Sequence, residues 1–124
     1  MDLPQMRLAP QGAAKGSLDG LELPPDLRDF LSRHDGGRGT VGKRPLVLWS
    51  AEQIARESEV QEVSLATPGL LLFGTDGGAE GYAYLSRMQR GRYGRISLLA
   101  AGAHEFESLG DSLDEMLKAI AEGR

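Results

Sequence analysis

The segment Pro68 to Leu85 reads PGLLLFGTDGGAEGYAYL and decides the fold expected for this chain. It contains an unbroken apolar run, a turn rich in glycine and aspartate, and then an alternating run. The apolar run, Leu70 to Phe73, predicts a central strand that is buried on both faces. The alternation from Tyr82 to Leu85 predicts an antiparallel neighbour with two distinct faces.

The loop between these strands, Gly74 to Gly81, brings two carboxylates near each other in the sequence. Asp76 and Glu80 could act as an acid and base pair or bind a cation through oxygen ligands. We favour a structural role, because a calcium loop needs more oxygen ligands at set spacing. In this interpretation Asp76 caps its own turn, while Gly77 and Gly78 adopt left-handed conformations.

Three helices are predicted outside this hairpin. The first starts at Leu23 and stops at Gly36, with apolar residues at helical spacing and an early proline. The second starts at Ser50 and ends near Glu59, and the third runs from Ser112 to Gly123. Ser50 and Ser112 are each followed three residues later by Gln or Glu, which is a capping box.

Four further extended segments are predicted around the hairpin and the helices. They are a short piece around Met6 and Leu8, the apolar run Pro45 to Trp49, a third strand at Ile96 to Ala101, and an edge strand at Glu105 to Glu107.

The chain has 124 residues, which is the size of one domain with one core. Residues 1–20 carry prolines and glycines without a sustained period, so we expect a loosely ordered N-terminal arm before a single domain at residues 21–124. There is no cysteine and there are only two histidines, so the sequence predicts no disulfide, no metal site and no cofactor.

The N-terminus lacks the pattern of a signal peptide, and no apolar run approaches the length of a membrane span, so a cytoplasmic location is expected. The net charge is −4, and the sequence pI is about 5.2. An acidic balance disfavours general nucleic-acid binding, which needs a basic surface. It favours a basic partner protein instead.

The stretch Gly37 to Lys43 reads GRGTVGK and matches two phosphate-binding patterns. A phosphate loop needs a strand before it, a helix after it and a hydroxyl residue after the lysine. Here a helix is predicted before the stretch, Arg44 stands in the hydroxyl position, and Pro45 begins a strand. We therefore interpret the stretch as a flexible loop between a helix and a strand.

A local basic cluster, RMQRGRYGR, lies between the second and third predicted strands. It contains Arg87, Arg90, Arg92 and Arg95 around Tyr93. Such a cluster could contact phosphate or stack on a base. Four arginines without a wider basic face bind nucleic acid weakly, so we favour a solvated hairpin tip.

No residue pattern in the chain indicates catalysis. His34 falls in the last turn of the first predicted helix, where interaction with carbonyl groups is more typical than a role as a base. No serine has the surroundings of a nucleophile, and there is no cofactor fingerprint. The sequence therefore predicts a protein that is not an enzyme.

Three blocks, taken together, resemble the SUKH superfamily, the bacterial immunity proteins related to the fungal Smi and Knr cell-wall regulators. They run from Leu23 to Gly37, from Leu48 to Ile54 and from Pro68 to Tyr84. The family typically has a Leu-Pro helix start, a Trp before a short helix and a glycine-rich turn between strands. The matching positions are Leu23, Pro24, Phe30, Leu31, Gly36, Gly37, Trp49, Gly74, Asp76, Gly77, Gly78 and Tyr82.

The resemblance implies an α+β domain with a mainly antiparallel sheet of four to six strands and about three packed helices. It also implies binding without catalysis, here of a cognate toxin domain of the nuclease or deaminase type. The alternatives are a regulatory scaffold of the Smi and Knr type and a nucleic-acid-binding accessory domain. The candidate contact residues are Trp49, Asp76, Glu80, Tyr82, Tyr84, Arg90 and Arg92, although for Trp49 a place in the core is favoured over contact.

Overall fold

The structure is a computed structural model that describes residues 5–14, 16–19, 21, 23–60, 70–86, 92–97 and 106–123, with only the backbone for 58–60. Within these residues one antiparallel sheet has seven strands, which neighbour one another in chain order. They are β1 (Met6–Leu8), β2 (Gly37–Val41), β3 (Arg44–Leu48), β4 (Leu70–Thr75), β5 (Glu80–Leu85), β6 (Arg92–Ser97) and β7 (Glu107–Gly110).

Three helices complete the described part of the fold: α1 (Pro25–Arg33), α2 (Ala51–Val60) and α3 (Leu113–Ala121). This confirms the α+β class and the antiparallel sheet, with more strands than the expected four to six. The extended piece expected around Met6 and Leu8 is β1. The edge strand expected at Glu105 to Glu107 is found further along the chain as β7, because Glu107 and Ser108 pair with Arg95 and Gly94 of β6. The short apolar run before the second helix is β3.

Both predicted helix caps are confirmed. The Ser50 hydroxyl oxygen accepts a hydrogen bond from the backbone N–H of Gln53 at 3.2 Å. The Ser112 hydroxyl oxygen accepts one from the N–H of Glu115 at 3.1 Å. Each bond satisfies an N–H that the first helical turn leaves without a partner. The two hydroxyls therefore set where α2 and α3 begin.

The expectation of a flexible loop at Gly37 to Lys43 is wrong. Gly37–Val41 forms strand β2, which pairs with β1 on one side and β3 on the other. A Cβ atom at Gly39 would lie 2.2 Å from the backbone oxygen of Gln5, and one at Gly37 would lie 2.8 Å from that of Arg7. The glycines are therefore explained by the close approach of the N-terminal segment, not by flexibility.

In the β4–β5 turn, Asp76 has the predicted capping role. Its Oδ1 accepts hydrogen bonds from the N–H groups of Gly78, at 2.8 Å, and Glu80, at 3.3 Å. Gly77 has a φ of +88°, as expected, but Gly78 does not have a positive φ. The left-handed conformation predicted for Gly78 is therefore wrong, because the Asp76 bond turns the chain with only one residue in that region.

The prediction of a solvated arginine tip is wrong for Arg92 and Arg95, which belong to β6. The third strand was expected at Ile96 to Ala101, but β6 is Arg92–Ser97, and residues 98–101 lie outside the described residues. Arg95 is only 8% exposed. Strand β6 begins earlier than predicted because Tyr93 pairs across the sheet with Tyr84 of β5. Arg87 and Arg90 lie outside the described residues.

The core lies between the sheet and its helices. Helix α2 packs on β4, while α3 packs on β7 and also contacts β2 and β6. The described part of the N-terminal arm joins this core, because Met6 and Leu18 are buried and the N–H of Ala13 donates to the Leu31 carbonyl at 2.8 Å. The arm therefore holds α1 against the sheet.

Candidate functional site

The residues predicted to contact a partner do not share one surface. Trp49 and Tyr82 are 8% and 0% exposed, so both belong to the core. Asp76 and Glu80 lie at the β4–β5 turn, where the Asp76 carboxylate is used to cap that turn. Of these four side chains, Glu80 and the second carboxylate oxygen of Asp76 are left for contact with another molecule.

Tyr84 lies near the other end of β5, and Arg92 lies at the adjacent end of β6. Tyr84 is four residues beyond Glu80, which is about 13 Å along an extended strand. Its ring centroid is 5.0 Å from that of Tyr93, in an edge-to-face arrangement. The guanidinium of Arg92 forms an ion pair with Asp111. Arg90, the remaining candidate, lies outside the described residues.

A half-open cleft of about 340 Å³ lies between α1 and α3 and is the candidate site. Its acidic members are Asp26 and Asp29 on α1 and Asp114 on α3. The rest of the lining is mixed: Leu8, Phe30, Arg33, His34, Ser112 and Leu113. We call this depression the α1–α3 cleft.

Asp26 holds the two helices of the cleft together. One carboxylate oxygen accepts a hydrogen bond from the Tyr93 hydroxyl, and the other accepts one from the N–H of Leu113 at 2.7 Å. Burial raises the pKa of Tyr93, and the neighbouring Asp26 carboxylate raises it further. The phenol therefore stays protonated and remains a donor. Asp26 is a structural anchor and has little capacity left for a ligand.

Asp29 and Asp114 supply the charge that remains at the rim. The Asp29 Oδ2 atom lies 2.6 Å from the Nη2 atom of Arg33, and both side chains are more than half exposed. Such a solvated pair contributes little to stability and is easily exchanged for another partner. Asp114 is exposed and forms no ion pair with another residue that the structure describes. The rim can therefore attract a cation.

The lower part of the cleft is apolar. The partly exposed side chain of Leu8 supplies the apolar surface, and the buried Phe30 and Leu113 complete the lining. The Nδ1 atom of His34 lies 2.8 Å from the carbonyl oxygen of Ala9, so this nitrogen carries a proton and donates it. The prediction that His34 interacts with a carbonyl is confirmed, although the carbonyl belongs to the N-terminal arm. An apolar floor beneath an acidic rim suits the stem and charged head of a lysine or arginine.

The described side chains give no indication of a metal centre. No group of three or more histidine, aspartate or glutamate side chains in these residues is placed to hold a metal ion. Nor does this part of the chain contain a helix with the length and apolar character that crossing a membrane requires.

Sequence reasoning missed most of this site. It named His34 but assigned no role in a site to Asp26, Asp29 or Asp114. A signal was present, because residues three apart on a helix share a face, as Asp26 and Asp29 do. What the sequence could not show is that the first turns of α1 and α3 meet.

Comparison with known families bears on this architecture. The family model of the SMI1/KNR4 family (SUKH-1) matches residues 13–119. The chain belongs to the SMI1/KNR4 family. Its match begins inside the N-terminal arm, earlier than the resemblance that starts at Leu23. No curated protein matches the chain at a significant level.

Proposed function

We propose that this SMI1/KNR4 domain is a non-catalytic immunity protein that binds and neutralises a cognate toxin domain in the cytoplasm. The toxin would act on nucleic acid, as a nuclease or a deaminase. The observation that carries this proposal is the α1–α3 cleft, with its apolar floor and its acidic rim formed by Asp29 and Asp114.

The electrostatics of the chain agree with such a partner. A protein that acts on nucleic acid usually has a basic surface, and this chain has a net charge of −4. Opposite potentials accelerate encounter and disfavour wrong partners. A lysine or arginine of the toxin would place its stem on the partly exposed Leu8 and its head between the two rim carboxylates, where it would replace Arg33 as the partner of Asp29.

A regulatory scaffold is the second candidate function, and membership of the SMI1/KNR4 family supports it directly. A scaffold would bind several partners weakly, whereas an immunity protein would bind one partner tightly. The nucleic-acid role is disfavoured, because Arg92 is engaged with Asp111 and Arg95 is buried beside Glu107. Those two arginines are not available to contact phosphate.

Coexpression with a toxin domain encoded by a neighbouring gene tests the function. We expect the two proteins to copurify in moderate salt and the toxin's activity to be lost at equal concentrations. Full toxin activity in the presence of excess SMI1/KNR4 protein would contradict the proposal. Several partners of similar, weak affinity would support the scaffold instead.

A further inference from the structure

A second charged surface lies on the sheet, across strands β1, β2 and β3. Arg7 in β1 stands directly opposite Arg38 in β2, and Arg38 stands directly opposite Val47 in β3. Residues directly opposite one another in an antiparallel pair project from the same face. The three side chains therefore form a row, which we call the Arg7–Arg38 face.

The two arginines of this face repel each other. Both are exposed, and among the described residues neither forms an ion pair, since the four pairs found there use Arg33, Arg56, Arg92 and Arg95. Like charges directly opposite each other weaken a sheet. A carboxylate placed over the row would remove this repulsion, whereas another cation would increase it.

An open groove of about 420 Å³ runs beside the two arginines. Its lining includes Val47, Trp49, Gln53 and one carboxylate, that of Asp35. The Oδ1 atom of Asp35 accepts a hydrogen bond from the N–H of Ala51 at 2.8 Å, so this carboxylate caps α2. The charge that the groove presents to another molecule is therefore mainly positive.

We propose that the Arg7–Arg38 face binds an acidic, extended segment of a partner protein. Carboxylates of the segment would pair with Arg7 and Arg38, and an apolar side chain would lie on Val47. The row runs across the strands, so the segment would lie over the face of the sheet and follow the row from Arg7 to Val47. Nucleic acid fits less well, because Trp49 is only 8% exposed and offers no stacking platform.

This surface goes beyond the proposed toxin binding, which uses the α1–α3 cleft and a basic group of the partner. The test uses a fluorescein-labelled peptide of alternating glutamate and valine, with a glutamine and valine peptide of equal length as control. Fluorescence anisotropy with the full chain gives both affinities. We expect the glutamate peptide to bind at least about tenfold more tightly, which corresponds to 1.4 kcal/mol.

The variant Arg38→Glu should weaken binding of the glutamate peptide by about tenfold. Lys118→Glu, which changes the charge equally at an exposed position of α3 outside the groove, should leave the affinity almost unchanged. Folding is checked by thermal melting. Arg38→Glu should melt no lower than the wild type, because it replaces a like-charge pair by an opposite-charge pair.

Three results would overturn the proposal: wild-type affinity in Arg38→Glu, an equal loss in Lys118→Glu, or tighter binding of a single-stranded oligonucleotide of the same charge. The assay contains no toxin. Failure to neutralise a toxin would therefore not affect the peptide-binding result. Failure to bind the glutamate peptide would likewise not affect the proposed toxin binding.

Discussion

The carboxylate of Asp26 and the hydroxyl of Tyr93 are joined by a hydrogen bond between residues 67 positions apart in the chain. The second oxygen of Asp26 accepts the N–H of Leu113. One side chain therefore connects α1, β6 and the start of α3. The α1–α3 cleft exists because this carboxylate brings the two helices together.

Removal of the Tyr93 hydroxyl should destabilise the protein. Tyr93→Phe is expected to lower the free energy of unfolding by about 1 to 2 kcal/mol, because a charge-assisted bond is lost. A double-mutant cycle with Asp26→Ala should give a coupling energy above about 0.5 kcal/mol. Urea denaturation gives the free energy of unfolding of the wild type, the two single variants and the double variant. Strictly additive losses would show that the two groups do not interact.

Tyr82 provides the matched comparison, because it is buried and its hydroxyl forms no hydrogen bond of ordinary geometry with a described residue, although the Arg95 guanidinium lies beside it. Tyr82→Phe removes a polar group whose burial is not compensated. We expect the free energy of unfolding to be unchanged or to rise by up to about 1 kcal/mol. A loss as large as that of Tyr93→Phe, in the same urea experiment, would reveal a hydrogen bond that the structure does not contain.

The two tyrosines also predict how stability depends on alkaline pH. Burial raises the pKa of both Tyr82 and Tyr93 in the folded protein. An unfolded tyrosine loses its proton near pH 10, at about the unperturbed pKa. The folded state therefore holds more protons above that pH, and stability that is complete below about pH 10 declines as the pH rises.

Above pH 10 the slope from Tyr93 should approach about 1.4 kcal/mol per pH unit, and Tyr82 should add to the decline in the same direction. Denaturation midpoints measured from pH 8 to pH 11 test this expectation. The double variant Tyr82→Phe/Tyr93→Phe should have a flatter profile than the wild type. Equal slopes in the two proteins would mean that other groups cause the alkaline decline.

Gly74 and Gly78 predict responses of different size to the same substitution. A Cβ atom at Gly74 would lie 2.6 Å from the backbone oxygen of Val47, whereas one at Gly78 would lie 3.5 Å from Oδ1 of Asp76. Gly74→Ala should cost about 1 to 3 kcal/mol, because backbone must move. Gly78→Ala should change stability by less than about 1 kcal/mol. Thermal melting measures the stability of both variants. Similar losses would show that the approach of Gly74 to the backbone of Val47 is not what makes this position sensitive.

Local sequence signals predicted most of the helices and central strands. Ser50 and Ser112 mark helix starts because a cap needs only neighbouring residues. The apolar run at Leu70 marks β4 for the same reason, since burial on both faces requires continuous hydrophobicity. The turn between β4 and β5 could also be predicted, because Asp76 caps it by accepting hydrogen bonds from backbone N–H groups only two and four residues away.

Features that depend on residues far apart in the sequence could not be predicted from it. Strand β2 has a weak apolar pattern and two glycines, and it becomes a strand because β1 and β3 pair with it. The α1–α3 cleft depends on Asp26 reaching Leu113, 87 positions away. The burial of Tyr82 depends on the packing around the sheet. Nothing near these residues in the sequence encodes those partners.

The central claim is that the acidic rim of the α1–α3 cleft holds a basic partner, and one comparison tests it most directly. Asp29 pairs with Arg33 and Glu52 pairs with Arg56, both on exposed helix faces four residues apart. Asp29→Lys and Glu52→Lys therefore break equivalent ion pairs and change the net charge equally. Titration calorimetry with the cognate toxin domain gives the affinity of each variant.

We expect Asp29→Lys to weaken toxin binding by about tenfold or more and Glu52→Lys to change it by less than about twofold. Equal affinities for the two variants, whether both reduced or both unchanged, would contradict the assignment of the cleft as the binding site.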